Sequence, residues 1–285
     1  MESLESIKHK LTSLDSLNNI VRTMKSLAAA NIHQYEAATT SLRNYAEVVD
    51  LGLCVATAAL PTAPLPQVAT RQARHGAIIF GSDHGLCGHF NESIVAYQQG
   101  HQSSMNTGSP AQTLSMGLRL KGLLSATALP LPASVNQIGS SIEQILSAIE
   151  SWQAHHDIDR VDLYYHQYLP GAEHPACAKT LLPVDLNDYQ RRGLGAWPRR
   201  RLPVVSQPAP ELLQDLIRQQ LFVSLFRACA ESQASEHSMR LVTMQSAEKN
   251  IGDKQDLLMQ HFRHLRQEQI TAELQEIVAG FGATG

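Results

Sequence analysis

The chain has 285 residues, 43% of them hydrophobic, 17% charged and only 5% aromatic, with a formal net charge of −3. That balance is globular, long enough for one large domain or two modest ones, and it exerts no global pull toward nucleic acid or an anionic membrane surface. The four cysteines, Cys54, Cys87, Cys177 and Cys229, lie far apart without a CxxC pair, which argues for a reducing compartment and against a disulfide framework or a zinc ribbon.

The N-terminal MESLESIKHK is polar and carries no apolar signal segment. The longest apolar stretch, around Leu51 to Leu60, is about half of what a membrane crossing needs. A soluble protein is expected, with membrane association only through a partner.

Residues 3–60 hold no proline and one glycine, Gly52. Steps of three and four pick out Leu4, Ile7, Leu11, Leu14, Asn18, Val21, Lys25, Ala28, Ile32, Tyr35, Thr39, Leu42, Ala46, Val49, Leu53, Ala56 and Leu60. All but Asn18, Lys25 and Thr39 are apolar or alanine, a coiled-coil seam sustained well beyond a few heptads. An amphipathic helix on a globular core is the plainer alternative, but such helices rarely run so long. Residues 1–60 are therefore expected to be one coiled-coil helix, followed by a Pro-rich linker over 61–76.

Residues 77–205 read differently. Short β-rich runs occur at Ala77–Phe80, Thr113–Met116, Val161–Tyr165 and Thr180–Val184, with helical patterns at Asn91–Gln99 and Ser141–Trp152. Strands alternating with helices predict a Rossmann-like α/β domain with a largely parallel sheet. His101–Pro110 is expected to be a flexible loop.

A second proline-free run, Glu211–Ala279, allows a helix on the order of 100 Å long. Its apolar positions include Leu213, Leu216, Val223, Leu241, Met244, Ile251, Leu258, Phe262 and Leu265, with Gln255 and Gln269 interrupting them. A helix of that length cannot bury itself alone. Residues 210–285 are expected to pair with the first helix as an antiparallel coiled coil.

Several constellations invite chemistry. The loop Gly81-Ser-Asp-His-Gly-Leu-Cys-Gly88 precedes a helix, but no Lys-Ser/Thr follows its last glycine and GxGxxG is absent. A phosphate there would have only backbone N–H groups and a helix N-terminus. The other reading is a tight strand-to-helix turn with Asn91 capping the helix. Cys87 between His84 and His89 could be a nucleophile with a base, or part of a metal site completed from His166, His174 or Cys177. That pattern would fit a stand-alone enzyme whose helices form a dimerisation arm. A non-enzymatic coiled-coil scaffold is another class. The pairs His155-His156 and His261…His264 read as solvated helix positions. Arg191, Arg192 and Arg199-Arg200-Arg201 form a basic cluster in a Gly/Pro-rich loop, with little aromatic interleaving for nucleic acid.

Four separated motifs give a resemblance. Ile20-Val-Arg-Thr-Met24-Lys25-Ser-Leu-Ala-Ala, the run Ser82-Asp83-His-Gly85-Leu86-Cys87-Gly88-His-Phe-Asn91, Arg240-Leu-Val-Thr-Met244-Gln-Ser-Ala247-Glu-Lys-Asn250, and Arg266-Gln267 with Ile270-Thr-Ala-Glu273-Leu-Gln-Glu276-Ile-Val-Ala-Gly280 follow one another in order. Together they resemble the gamma subunit, the central stalk, of F-type rotary ATP synthases. Departures include Gly280-Phe281-Gly282, where the family has Gly-Ala-Ala, and Thr243, where alanine is usual. The divergence points to a variant branch, the alternative bacterial (N-type) enzymes proposed to translocate sodium. The plastid-type inserted cysteine pair is absent, so thiol regulation is not expected.

The resemblance implies a non-catalytic rotor subunit of a proton- or sodium-transporting ATP synthase, with no cofactor or metal of its own. Its implied partners are catalytic beta and non-catalytic alpha subunits, the epsilon subunit and the membrane rotor ring. It implies no nucleic acid, membrane contact only through the complex, and a peripheral place on the cytoplasmic face of the bacterial inner membrane. By motif match, Met24, Lys25, Arg240, Arg266, Gln267, Thr271 and Glu273 are the expected contacts with the catalytic subunits. The loop around Cys87 is implied to be structural.

Overall fold

The computed structural model describes residues 3–58, 74–105, 109–156, 158–171, 173–193 and 207–282, with side chains to residue 278. An α/β domain is combined with a long antiparallel pairing of the two terminal helices. The first helix, α1, spans Leu4–Ala58, and the last, α5, spans Ala209–Gly282. The Ser3 hydroxyl caps α1 by accepting from the Ser6 N–H at 3.2 Å, satisfying one of the donors a helix start leaves open. Pro210 falls in the first turn of α5, where its missing N–H costs nothing.

The chain divides into two compact units, Met1–Ala29 with Arg240–Gly285, and Ala30–Met239. In the first, Val21, Met244 and Ile251 are buried, with Leu14, Met24 and Ala247 packed against them. Gln255 donates to Asp15 at 2.6 Å, and Arg22 donates to Glu248 at 2.9 Å. Position along α5 falls as position along α1 rises, so the helices run antiparallel. Gln255, which interrupts the apolar seam, makes a polar contact across it.

In the second unit the pairing continues through Val49, Leu53 and Val223, supported by Leu42, Ala46, Leu213 and Leu216. The only glycine of α1 has a packing reason: a Cβ on Gly52 would lie 3.0 Å from a Leu216 methyl. That contact offsets the helix propensity glycine gives up, about 1 kcal/mol. No predicted seam position from Leu4 to Ala56 is fully exposed. Leu60 lies outside the described residues.

The same unit carries a five-stranded sheet ordered β3-β2-β1-β4-β5. Its strands are β1 (Arg74–Phe80), β2 (Gln112–Met116), β3 (Thr127–Leu129), β4 (Ile158–His166) and β5 (Ala176–Leu182). The first four run parallel, and β5 is antiparallel to β4. Helix α2 (Phe90–Ser104) follows β1, α3 (Ile138–His156) precedes β4, and α4 (Leu186–Arg192) follows β5.

Alternation along β1 sends Ile78 and Phe80 to one face and Ala77 and Ile79 to the other. The first face receives the α3 stripe Ile138, Ile142, Ile145, Ile149 and Trp152, spaced for one side of a helix. Each fully buried side chain of this size contributes about 2 kcal/mol. Leu225, Ala228, Cys229, Ala230 and Ala234 of α5, and Tyr35 of α1, join the same cluster. Small residues let α5 approach closely, and Val223–His237 is buried apart from Phe226 and Arg227. The opposite face packs on Ile94 and Val95 of α2.

Several local expectations need correction. β1 begins at Arg74, inside the expected linker, because Arg74 to Gly76 already pair with β4. β5 lies four residues earlier than expected at its start. β3 and α4 were not anticipated, being too short for periodicity to show. His101–Ser104 continue α2 instead of opening the expected loop, since nothing in QQGHQSS breaks a helix outright. Residues 106–108 of that loop lie outside the described residues.

Candidate functional site

The register of the first unit places the predicted contact residues. Eleven residues back from Asp15 reach Leu4, the start of α1, and eleven forward from Gln255 reach Arg266. Beyond about that point no described residue of α1 is left to lie beside α5, and each residue from Arg266 to Val278 is exposed. Arg266, Gln267, Thr271 and Glu273 all stand on this projecting end.

The Thr271 hydroxyl is tied to the Gln267 carbonyl at 2.8 Å, and Gln269 donates to Glu273 at 2.9 Å. The same segment exposes Ile270, Leu274, Ile277 and Val278 by 48–70%. Their i, i+4, i+7, i+8 spacing makes one apolar stripe, a shape suited to lying against another protein. All four fall inside the Ile270–Gly280 motif, but none was among the expected contacts. Their signal was periodicity continuing past the last α1 residue able to pair.

Met24, Lys25 and Arg240 lie instead within the paired stretch. Met24 is half-buried against the Val21–Met244 cluster, and Arg240 is buried. The Lys25 ammonium donates to Glu248 at 2.5 Å, and the same carboxylate accepts from Arg22. Lys25 first, then Arg22, holds the Glu248 carboxyl below its usual range. Two cations share one anion, so the cluster keeps one net positive charge. Neither Arg22 nor Glu248 was singled out by sequence.

The glycine-rich loop is bound into the domain by its own side chains. Asn91 accepts from the Ser82 N–H at 2.9 Å and donates to the Ser82 hydroxyl at 2.8 Å. It therefore does not cap α2 as expected; it sits inside the helix and fastens the loop. Asp83 accepts from the backbone N–H of Leu118 at 2.9 Å and of Leu131 at 3.0 Å, joining this loop to those after β2 and β3. A Cβ on Gly81 would come within 2.5 Å of Leu120, and Gly117, at φ +124°, would put one 2.8 Å from the Gly81 carbonyl carbon. Leu86 is left-handed at φ +66° and 60% exposed.

Cys87 is buried and meets the carbonyl of His84 at 3.7 Å and the Ser82 hydroxyl at 3.6 Å, while the His84 and His89 rings are exposed. Among the described residues no three His, Cys, Asp or Glu side chains gather as metal ligands.

Open α/β sheets hold ligands where strand order reverses, here between β1 and β4. His166 fills that position. Its ring stacks on Phe90 at 4.3 Å and meets the Ser93 hydroxyl at 2.9 Å, and burial, with His174 nearby, lowers its pKa to about 4.

Arg191 and Arg192 belong to the last turn of α4, not to a loop. Arg191 reaches Asp188 at 3.3 Å, and Arg192 lies over the Tyr189 ring. The Asp185 carboxylate caps that helix. Arg199–Arg201 lie outside the described residues. His155 contacts the Ser151 carbonyl, and His264 contacts Glu268.

Comparison with known proteins agrees over the full length. The ATP synthase family model matches residues 3–284. The ATP synthase gamma chain of Moorella thermoacetica is 26% identical, with 99% of each chain covered. That of Granulibacter bethesdensis is 27% identical, with 98% of this chain and 99% of the relative covered. A solved chain of the Euglena gracilis mitochondrial ATP synthase, in an OSCP/F1/c-ring assembly, is 18% identical and superposes with a TM-score of 0.64, covering 99% of this chain and 94% of its own; it shows the shared fold. Helix pairing, sheet order and motif sequence converge with these matches: the chain belongs to the ATP synthase family, alongside its gamma chains.

Proposed function

We propose that this chain is the central-stalk rotor subunit of a two-sector ATP synthase, coupling ion-driven rotation of a membrane ring to conformational change at the catalytic subunits. The observation that carries this reading is the match over residues 3–284, together with an α5 whose last turns outrun α1. Its partners are catalytic beta and non-catalytic alpha subunits, an epsilon subunit and the rotor ring. Residues 1–60 and 210–285 serve as the shaft, 74–205 as the foot, and 61–73 as the tether between them.

One chain inside a ring of catalytic subunits cannot touch them all alike. Each site is therefore biased toward a different conformation, and turning the chain exchanges those biases. The coupling is reciprocal, so nucleotide binding drives rotation as rotation alters affinity. The chain itself does no phosphoryl chemistry; its glycine-rich loop holds neighbouring loops together instead.

In this reading Arg266, Gln267, Thr271 and Glu273 meet the catalytic ring beside the apolar stripe. Met24, Lys25 and Arg240 contribute lower on the shaft, with the net positive Arg22–Glu248–Lys25 cluster facing acidic residues of a catalytic subunit. The complex moves protons or sodium and sits peripherally on the cytoplasmic face of a bacterial inner membrane. Among the described residues no helix is long and apolar enough to cross a membrane, which fits attachment through the ring.

The test is co-expression with alpha and beta subunits of an ATP synthase from the same source, followed by co-purification and ATPase assay with and without this chain. Stable co-elution and chain-dependent activity support the reading. Failure to assemble, or ATPase indifferent to the chain, rejects it. Double-mutant cycles between Lys25 and acidic residues of the catalytic subunit test the contact, and additive effects would remove it.

A further inference from the structure

Within the first unit the paired helices are linked across their seam at two levels, Asp15 with Gln255, and Arg22 and Lys25 with Glu248. Midway between those levels stand Asn18 on α1 and Gly252 on α5. Leu14 and Val21, the seam positions on either side of Asn18, pack with Ile251. Asn18 interrupts that apolar line with an amide.

Two independent observations mark this level as weak. The Asn18 Oδ1 is enclosed and has no hydrogen-bond partner among the described residues. A carbonyl oxygen held away from water without a donor costs free energy, and local opening that admits water relieves it. The other observation is Gly252 itself. Glycine is the poorest helix former after proline, and inside a helix it destabilises unless a close contact offsets the loss. Gly52 has such a contact in Leu216, whereas a Cβ on Gly252 would meet nothing within 4 Å among the described residues. At this level α5 gives up helix propensity without a packing gain.

We propose that α5 opens locally around Gly252, forming a compliant joint between the two cross-helix links. Opening breaks the i to i−4 hydrogen bonds that span Gly252 and hydrates Asn18 Oδ1, while the links at Glu248 and Gln255 hold the register on either side. The joint is a property of this chain alone. That it lets a turning shaft flex rests on the rotor reading above.

Amide hydrogen exchange along α5 of the purified full-length chain, resolved to single residues, tests the joint. The amides of residues 252–256 are expected to exchange faster than those of 241–247, and faster also than those of 259–262, which lie nearer the free end. Fraying from that end would instead give rates rising steadily toward it, and such a gradient overturns the proposal. Gly252→Ala restores helix propensity and should slow the 252–256 amides about fivefold while leaving 241–247 unaltered. Asn18→Leu removes the orphaned oxygen and should slow the same amides. Either variant leaving the peak unchanged, or slowing every amide alike, overturns the proposal. A peak that responds to both variants in a chain that does not assemble with catalytic subunits would uphold the joint and reject only the rotor reading.

Discussion

His166 stands where many α/β proteins bind ligands, yet it spends its chemistry on packing. Its ring lies on Phe90 and its burial favours the neutral form, with a pKa near 4 against an unfolded value of 6.5. Between those values the unfolded chain binds the extra proton, so stability falls as pH drops from 6.5 toward 4 and rises with pH through the same window. The full effect is about 3 kcal/mol. Urea unfolding across that range should show the loss, and His166→Phe should flatten it; an unchanged slope would contradict the assignment. Gly117 makes a second prediction at this scale. With φ at +124° and backbone 2.8 Å from any added Cβ, Gly117→Ala should cost at least about 2 kcal/mol, read as a lower urea midpoint. Sequence read the glycine-rich loop as a tight structural turn, and what it mistook was the role of Asn91. Asn91 looked like a cap because it precedes an apolar helix, but its hydrogen bonds to Ser82 are tertiary, and spacing alone does not encode them. Glu248 was hidden for the same reason: its partners lie more than two hundred residues away.

The helices were the most legible elements. A heptad pattern repeated over 55 residues leaves little room for another reading, and α1 has no exposed seam position among those described. α5 was harder. Its central turns are buried by alanine, serine and cysteine, which carry almost no hydrophobic signal although they lie against the sheet. β3, three residues long, and α4, seven, fell below the length at which a pattern can be counted. The seam itself is testable. Leu11→Asp or Leu258→Asp places a carboxylate on the apolar seam. Either change should lower far-UV helicity and abolish assembly with the catalytic subunits, whereas unchanged helicity and assembly would count against the pairing.

For the molecule as a whole, most of the proposed contacts with the catalytic ring lie at an end of α5 that is exposed within this chain. Arg266–Val278 is exposed throughout, so deleting the chain from Arg266 onward should leave the Tm of the remainder unaltered while weakening coupling to the catalytic ring. A fall in Tm would mean that the segment packs within the chain after all. A rotor subunit must rotate. The most direct measurement fixes a catalytic ring assembled with this chain to a surface, attaches a probe to the α/β domain, and supplies ATP. Unidirectional, stepwise turning of the probe that stops when ATP is withdrawn is the expected result. Steady ATP hydrolysis with a stationary probe would contradict it.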